Sequence, residues 1–346
     1  MASIDQPHAA PPPSDAMDAA GLERSADRGD ANALFELGSR LLVGNGAAFE
    51  SRQAVSRLAA AAEKNHAEAL RLMATLAGTG ALGPQRWSAA LSYLARAAAA
   101  GSDHARGQIQ VLSGAAPVDD RLDAWRRACD AVDVDAWTDS PARRQLWEAP
   151  RVRMAEGFAT AAVCDWLRQR ASGRFRPAMM YDGAIKAEQL DPHRTCSDYE
   201  FDILNTDVVL LLVRERIAAL TKLPAVAMEP PRIFHYALGQ EIKPHYDRCG
   251  DGVAGYGHDG GYRGDRIVTF LLYLNDGYEG GDLDFPKAGF RCKGAKGDAV
   301  YFAHIDPAGK PDPLSLHAGL PIRRGEKWVL SQWIHDRPFG VAEPDR

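Results

Sequence analysis

The sequence is poor in cysteine and contains no C-x-x-C pair. The five cysteines lie far apart: Cys129, Cys164, Cys196, Cys249 and Cys292. An odd number of isolated cysteines fits neither a disulfide framework nor a zinc ribbon. A reducing compartment, the cytoplasm, is therefore the predicted location.

Long apolar runs are also missing. The longest strongly apolar run, Val208–Val213, is far too short to cross a bilayer as a helix. At the start of the chain, Met1–Asp5 shows no basic stretch followed by an apolar one, so we expect no secretory signal. No membrane association is predicted.

The chain has no excess of positive charge. Its 41 Lys and Arg against 46 Asp and Glu give a formal net charge of −5. Proteins that bind phosphate backbones are usually basic, so nucleic acid is not an expected partner. The hydrophobic fraction of 46% and the charged fraction of 25% exclude a wholly disordered chain. The length of 346 residues favours two or three domains.

Composition divides the chain into four segments. Residues 1–20 are rich in proline and alanine and are predicted to form a disordered tail. Residues 21–114 carry alanine and leucine at helical spacing. Residues 115–150 combine tryptophans with charged residues and are predicted to form a helical connector. Residues 151–340 are predicted to form a second domain.

The helical segment repeats itself. Gly29–Ala33 recurs as Asn65–Ala69 and again as Asp103–Gly107, at intervals of 36 and 38 residues. In the first two copies a Leu-rich helix ends at glycines, which favour a left-handed helix stop, and an Ala-rich helix follows. A helix–turn–helix period of this length indicates a solenoid. An Ala-rich helical bundle is the alternative.

The second domain begins with helices and continues with strands. Helices are predicted over Ala159–Arg170 and Asp207–Leu220, and the glycine-rich segment 249–264 is predicted to be a loop. Four strands are predicted after Pro230-Pro231: Arg232–Ala237, Ile267–Leu274, Ala299–Phe302 and Trp328–Ile334. This order indicates an α+β domain whose strands form a sandwich or barrel.

One cluster of residue types has metal-binding character. His245 and Asp247 are two residues apart on a predicted strand, so their side chains face the same side. His317, just before another strand, can supply a third ligand. Two histidines and one carboxylate leave open positions on octahedral Fe(II), as in non-haem iron oxygenases. A second H-x-D pair, His304 and Asp306, is excluded because too few residues separate it from His317 for intervening strands.

A series of short motifs occurs in one order between residues 155 and 338. The series is Arg194-Thr195-Cys196, Tyr236 with Gly239-Gln240, His245-x-Asp247, Arg266–Leu274, Gly280–Phe285, Gly297–Ala299, His317, Gly325–Trp328 and Trp333–His335. In this order and at these spacings the motifs resemble the prolyl 4-hydroxylase-like iron(II)/2-oxoglutarate dioxygenases. The helical segment resembles the Sel-like repeats, a subclass of the tetratricopeptide-like repeats.

The resemblance implies a two-part α+β fold. An all-α helical-repeat solenoid would precede a double-stranded β-helix, or jelly roll, with its core over about residues 228–337. His245, Asp247 and His317 would bind Fe(II), and no catalytic side chain is implied beyond these ligands.

The resemblance also assigns side chains to the bound molecules. Lys327 would neutralise the distal carboxylate of 2-oxoglutarate, and the hydroxyls of Tyr236 and Thr269 would hydrogen-bond to it. Three further side chains are assigned to the substrate region: Trp333, His335 and Arg266.

The implied reaction hydroxylates a C–H bond of a peptide or protein side chain and releases succinate and CO2. O2 is the second substrate, L-ascorbate is the reductant, and the repeats would dock the substrate protein. Ile242 stands where many family members carry an aromatic residue that lines the substrate groove, so proline is not settled as the target. Two alternatives stay open: a hydroxylase of a free amino acid or small metabolite, and a non-catalytic repeat adaptor. The sequence does not indicate an oligomeric state.

Overall fold

The computed structural model of the protein describes residues 19–45, 50–80, 83–115, 119–182, 187–190, 193–248 and 264–339. Most of the predicted tail 1–20 and of the predicted loop 249–264 lies outside these ranges. Internal contacts divide the chain into two compact units. The first comprises the described residues up to Gly107 and within Pro117–Cys129, and the second comprises the others.

Helices dominate the N-terminal part. They are α1 (Ala19–Asp27), α2 (Ala31–Val43), α3 (Ser51–Glu63), α4 (Ala67–Thr79), α5 (Trp87–Ala99) and α6 (Asp103–Ser113). Helices α2 and α4 end at Gly44 and Gly80, whose φ angles of 69° and 72° are left-handed, as the glycines in the sequence predict. A Cβ on Gly38 would lie 2.8 Å from Cγ of Leu58, so a small residue lets α2 and α3 approach closely.

The helix starts show the repeat directly. The side chains of Asp30, His66 and Ser102 each accept the backbone N–H three residues further on, which satisfies a donor that helix geometry leaves unpaired. These caps lie 36 residues apart at both steps. The interval of 38 residues predicted for the third copy is therefore wrong. Ala105 corresponds to Ala69, and the misalignment arose because alanine occupies two nearby positions in the first two copies but one in the third.

Four further helices occur in the described residues: α7 (Leu122–Asp130), α8 (Val134–Thr138), α9 (Ala161–Ala171) and α10 (Val208–Thr221), with 3-10 turns at Ala225–Ala227 and Pro313–Ser315. The two helices predicted upstream of the strands correspond to α9 and α10 within two residues. Across the described ranges, no helix combines the length and apolarity that crossing a membrane requires.

The strands are β1 (Arg144–Trp147), β2 (Val152–Ala155), β3 (Arg176–Pro177), β4 (Met179–Asp182), β5 (Ala187–Leu190), β6 (Ser197–Glu200), β7 (Arg232–Tyr236), β8 (Ile242–His245), β9 (Arg266–Tyr273), β10 (Glu279–Gly280), β11 (Leu283–Phe285), β12 (Phe290–Cys292), β13 (Ala299–Ala303), β14 (His317–Gly319), β15 (Ile322–Arg324) and β16 (Lys327–His335). The four predicted strands are β7, β9, β13 and β16, each correct within one residue.

Two antiparallel sheets form the second unit. The major sheet has the order β1-β2-β13-β9-β16-β7-β6-β3, and the minor sheet has the order β12-β11-β14-β8. Short two-stranded sheets pair β10 with β15 and β4 with β5. Helices followed by antiparallel sheets confirm the predicted α+β fold class.

The major sheet begins earlier than the sequence indicates. Strand β1 lies inside the segment 115–150 that is predicted to be a helical connector, and that prediction is wrong for these four residues. Three of the four residues of β1 are exposed, so the strand shows no alternation of apolar and polar residues. Pairing with β2, which in turn pairs with β13, places it in the sheet.

The core lies between the two sheets. Tyr273, Val300 and Phe302 of the major sheet pack in one buried cluster with Leu283 and Phe285 of the minor sheet. Burial of a phenylalanine contributes about 2 kcal/mol, so this cluster holds the sheets face to face. The inner faces of β7, β9 and β16 continue beyond it and form the wall opposite β8 and β14.

Candidate metal centre and cosubstrate cavity

The pairing of two short strands brings two histidines together. His245 is the last residue of β8, His317 is the first of β14, and the antiparallel register places them opposite each other. Asp247 follows two residues after His245. One ligand atom from each of these three side chains lies within 4.8 Å of the others. The structure thus brings together the three residues that the sequence predicts as metal ligands.

Backbone carbonyls orient both imidazoles. Nδ1 of His245 lies 2.8 Å from the carbonyl of Lys243, and Nδ1 of His317 lies 3.0 Å from that of Ser315. Because a carbonyl can only accept, Nδ1 carries the proton in each ring. The Nε2 atoms then face Asp247, each 3.4 Å from one of its carboxylate oxygens. Both Nε2 lone pairs are therefore directed towards the point where a metal ion would be held.

The protonation states suit a divalent cation. Burial lowers the pKa of His245, and the neighbouring His317 lowers it further. Burial alone would raise the pKa of Asp247, but His317 and His245 outweigh it and hold that pKa well below its ordinary value. A neutral imidazole and a charged carboxylate are the forms that bind metals. With His317 they compose the two-histidine, one-carboxylate set that suits Fe(II).

A buried hydroxyl and a third histidine lie behind the carboxylate. Thr269 donates to Oδ2 of Asp247 over 2.6 Å, and Nε2 of His304 lies 2.7 Å from the same hydroxyl. Because the single proton of Thr269 goes to Asp247, its contact with 2-oxoglutarate stays a prediction. His304 does not join the ligand group, in agreement with its exclusion on sequence grounds.

Lys327 is a buried cation. Only 4% of it is exposed, and Nζ donates to the carbonyl of Gly281 over 2.6 Å. The rings of Tyr236 and Tyr273 lie 5.3 and 5.4 Å from Nζ. Burial lowers the pKa of Lys327 to about 8. No carboxylate within the described ranges forms an ion pair with it, so an anion that enters the site would compensate a costly buried charge.

One cavity connects this lysine to the metal ligands. Seven of the nine predicted site residues line it: His245, Asp247, His317, Lys327, Tyr236, Thr269 and Trp333. The remaining lining residues are mostly apolar, with one cation and one hydroxyl among them: Phe234, Ile242, Leu271, Leu283, Val329, Gly319, Arg194 and Ser331. The metal group and the buried cation therefore face one and the same space.

The other two predicted residues, Arg266 and His335, do not line this cavity. Regular alternation along β16 would place His335 on the same side as Lys327 and Trp333, which line the cavity. The pairing of β16 with β9 instead shifts register between Ile334 and His335, and the alternation of side chains is lost there. Nε2 of His335 instead lies 2.6 Å from Glu229. The substrate roles of these two residues stay predictions.

Glu229 forms a buried charge cluster with Arg266 and His335. No motif in the sequence predicts this role for Glu229. Arg266 donates to Glu229 over 2.8 Å, and its guanidinium lies 4.2 Å above the ring of Trp333. Burial would raise the pKa of Glu229, but Arg266 and His335 outweigh it and lower the pKa to about 2. Arg266 also lies 3.4 Å from the carbonyl of Asp247. This buried charge cluster therefore supports the cavity wall from behind.

Comparisons with known proteins show what this chain is similar to. Residues 231–335 match the family described as the 2OG-Fe(II) oxygenase superfamily. Probable prolyl 4-hydroxylase 6 of Arabidopsis thaliana is 33% identical over 214 residues, which are 57% of this chain and 73% of that protein. The viral collagen prolyl hydroxylase of Paramecium Bursaria Chlorella virus-1 is 24% identical, covering 53% of this chain and 94% of that one, with a TM-score of 0.41. A Sel1 repeat protein from Oxalobacter formigenes is 29% identical, covering 32% and 86%, with a TM-score of 0.26.

Two imidazoles and one carboxylate between antiparallel sheets are the ligand set of non-haem iron oxygenases, and the matched family adds dependence on 2-oxoglutarate. The chain belongs to the prolyl 4-hydroxylase-like family of 2OG-Fe(II) oxygenases. The predicted dioxygenase class is thus confirmed, with Fe(II), 2-oxoglutarate and O2 as the groups that the family uses. All three candidate metal ligands and Lys327 are present in one cavity. No observation therefore favours the alternative that the protein is a non-catalytic repeat adaptor.

Proposed function

We propose that the protein hydroxylates a C–H bond of a peptide or protein side chain and converts 2-oxoglutarate to succinate and CO2. The observation that carries the proposal is the shared cavity, in which the group of His245, Asp247 and His317 and the buried Lys327 face the same space. O2 would be the oxidant: bound Fe(II) would supply its activation and 2-oxoglutarate two of the four electrons for its reduction, so that one oxygen atom enters succinate and the other the C–H bond.

The side chains of the protein hold and orient the bound molecules. His245, Asp247 and His317 would occupy three positions on the metal and leave the others open. Lys327 would keep its proton on Nζ and pair with the distal carboxylate of 2-oxoglutarate. The indole N–H of Trp333 is buried and has no acceptor among the described residues, so it can donate to an oxygen of the substrate. The apolar part of the wall would limit the access of water to the reacting atoms.

The first substrate class to test is peptide-bound proline. Support comes from the Arabidopsis thaliana relative, whose name is that of a prolyl 4-hydroxylase. Ile242 is buried and lines the cavity, and an aliphatic side chain here leaves more room than an aromatic one. We therefore extend the proposal to peptide side chains larger than proline. The helical repeats would dock the substrate protein, since stacked repeats offer extended binding surfaces.

Two accessory proposals concern the surroundings of the reaction. We propose L-ascorbate as the reductant that restores Fe(II) after uncoupled turnover, and its addition should prolong the linear phase of succinate formation. We also propose a cytoplasmic location. The cysteines within the described ranges form no disulfide, which supports a reducing compartment: Cys129, Cys164, Cys196 and Cys292.

The experiment measures succinate with Fe(II), O2 and 2-oxoglutarate, together with an oxygen atom added to candidate substrates by mass spectrometry. Proline-containing peptides are compared with free amino acids. We expect His245→Ala and Lys327→Ala to lose succinate formation at least about 100-fold. Lys310→Ala, which removes an exposed lysine, is the matched control.

Two results would contradict parts of the proposal. Turnover of free amino acids without any peptide product would favour the small-metabolite alternative. A wild-type protein that neither binds Fe(II) nor decarboxylates 2-oxoglutarate would overturn the proposed function as a whole.

A further inference from the structure

His304 is a buried histidine for which the reaction described above has no role. It is only 1% exposed, directly follows β13, and its backbone N–H donates to the carbonyl of Ile267 over 2.9 Å. Phe302 pairs with Thr269 in the same ladder, so the sheet places the imidazole beside the Thr269 hydroxyl. Its ring centroid lies 6.1 Å from that of His317. The sheet backbone therefore determines its position behind the metal group.

The hydrogen bonds around Thr269 have only one consistent direction. The carboxylate of Asp247 can only accept, so the 2.6 Å contact to Oδ2 uses the single proton of the threonine hydroxyl. The 2.7 Å contact to His304 must then be donated by Nε2–H of the imidazole to Oγ1 of Thr269. A directed chain results, from His304 through Thr269 to Asp247. Successive bonds of this kind in a dry interior strengthen each other.

This series of hydrogen bonds affects the two oxygens of the Asp247 carboxylate differently. Oδ2 of Asp247, which lies 3.4 Å from Nε2 of His317, receives the threonine proton, whereas Oδ1, which lies 3.4 Å from Nε2 of His245, does not. A carboxylate oxygen that accepts a strong hydrogen bond has less electron density to donate to a cation than the other oxygen of the same carboxylate. We propose that His304 is a positioning residue of the metal centre, which acts through Thr269 to make Asp247 a ligand through one oxygen. The inference rests on the proposed function, since it presumes a metal between these three side chains.

A matched pair of polar variants of the full-length protein tests the series of hydrogen bonds from His304 to Asp247. In His304→Gln the side-chain amide can reach the place of Nε2, whereas in His304→Asn it stops at the place of Nδ1. Co(II) alone is the probe, without 2-oxoglutarate, so the predicted cosubstrate contact of Thr269 does not contribute. Titration gives the affinity, and the ligand-field absorption of Co(II) reports the coordination of the metal.

We expect His304→Asn and Thr269→Val each to weaken Co(II) binding about 10-fold and to change the absorption spectrum in the same way. The double variant should be no weaker than either single one, because the two residues act in series. His304→Gln should keep the wild-type spectrum. His235→Asn, which removes a histidine from the outer face of β7, should leave both readouts unchanged.

If His304→Asn keeps the wild-type affinity for Co(II) and the wild-type absorption spectrum, the proposed role of His304 is wrong. It is also wrong if the losses of affinity in the two single variants multiply in the double variant. If His304→Asn does not fold, His304→Gln and Thr269→Val decide: a changed spectrum in the former or an unchanged one in the latter contradicts the proposal. A wild-type protein that binds no Co(II) would instead overturn the proposed function, and this inference with it.

Discussion

The N-terminal helices and the two-sheet unit are built from contacts of different range. In the helical part, each cap joins residues three apart, and α2 packs on α3 as α4 packs on α5. In the sheets, β9 lies between β13 and β16, and β8 pairs with β14 across a long intervening segment. A short-range pattern therefore describes the first part, whereas the second depends on strands that meet only in the folded chain.

The largest expected effect on ligand binding lies in the sheet unit, at Lys327. We predict that Lys327→Met weakens binding of 2-oxoglutarate to the Mn(II)-loaded protein about 100-fold, because the partner of the distal carboxylate is lost. Isothermal titration without O2 measures this affinity, with Lys310→Met as the control. Equal affinities for the wild type and Lys327→Met would remove Lys327 from the site.

The same lysine gives the site a pH dependence. Burial lowers the pKa of Lys327 to about 8, and an anion binds the protonated form. The affinity for 2-oxoglutarate should be constant below about pH 7 and fall about tenfold per pH unit above pH 8, with proton uptake on binding near pH 8. Titration in buffers of different ionisation enthalpy measures the uptake. Wild-type affinity that is independent of pH up to about pH 9 would contradict this account.

Two core substitutions compare the units directly. Phe302 packs edge-on against Phe285 and His317, with ring centroids 5.0 and 4.7 Å apart, so Phe302→Ala should cost about 4 kcal/mol of unfolding free energy and also weaken Co(II) binding. Leu58 is fully buried in α3. Leu58→Ala should lower the free energy of unfolding by about 3 kcal/mol without changing Co(II) binding. Urea unfolding and Co(II) titration give both quantities. Weakened metal binding in Leu58→Ala would show that the two units are coupled.

A smaller effect is expected where two helices approach closely. In Gly38→Ala the added Cβ would meet Cγ of Leu58 at 2.8 Å and the carbonyl of Ala54 at 3.1 Å. Alanine favours a helix by about 1 kcal/mol over glycine, but overpacking costs about 1–3 kcal/mol, so we predict a net loss of about 1 kcal/mol. Ser56→Ala, on the exposed face of α3, is the control. A stabilised Gly38→Ala protein would mean that α2 and α3 can move apart without cost.

An effect of similar size concerns a helix cap. Nδ1 of His66 accepts the N–H of Ala69 over 3.1 Å, and burial lowers the pKa of His66 despite the nearby carboxylates of Glu68 and Asp30. The neutral ring is the capping form, so its contribution is complete above about pH 6.5 and is lost as the pH falls through the lower folded-state pKa. Asparagine caps without titrating, so His66→Asn should remove this pH dependence, which is worth about 1 kcal/mol. Thermal unfolding followed by far-UV circular dichroism at several pH values measures it.

Much of the site could be predicted because its chemistry lies in short motifs. The H-x-D spacing places His245 and Asp247 on one face of a strand, and the motifs around His317 and Lys327 identify the family. The same reasoning failed where a strand is irregular. Regular alternation predicts that His335 faces the cavity, but the register shift before it turns its side chain to Glu229.

Glu229 and the role of His304 could not be found from the sequence. Glu229 is an isolated acidic residue before two prolines, and only the fold places it beside Arg266 and His335. His304 lies outside the group of three candidate ligands, yet the ladder between β13 and β9 brings its ring to Thr269. A bond of this kind joins side chains 35 residues apart and leaves no periodic trace in the chain.

The amino-acid sequence by itself determined the α+β class, the presence of a helical repeat and the identity of the three candidate ligands. The first two follow from residue types at regular spacings, and the third follows from a series of short family motifs. Tertiary structure alone decided how these ligands are oriented, that Lys327 shares their cavity, and which buried groups support them. The physical reason is that orientation and desolvation arise from packing between strands that are distant in sequence, and no local spacing encodes that packing.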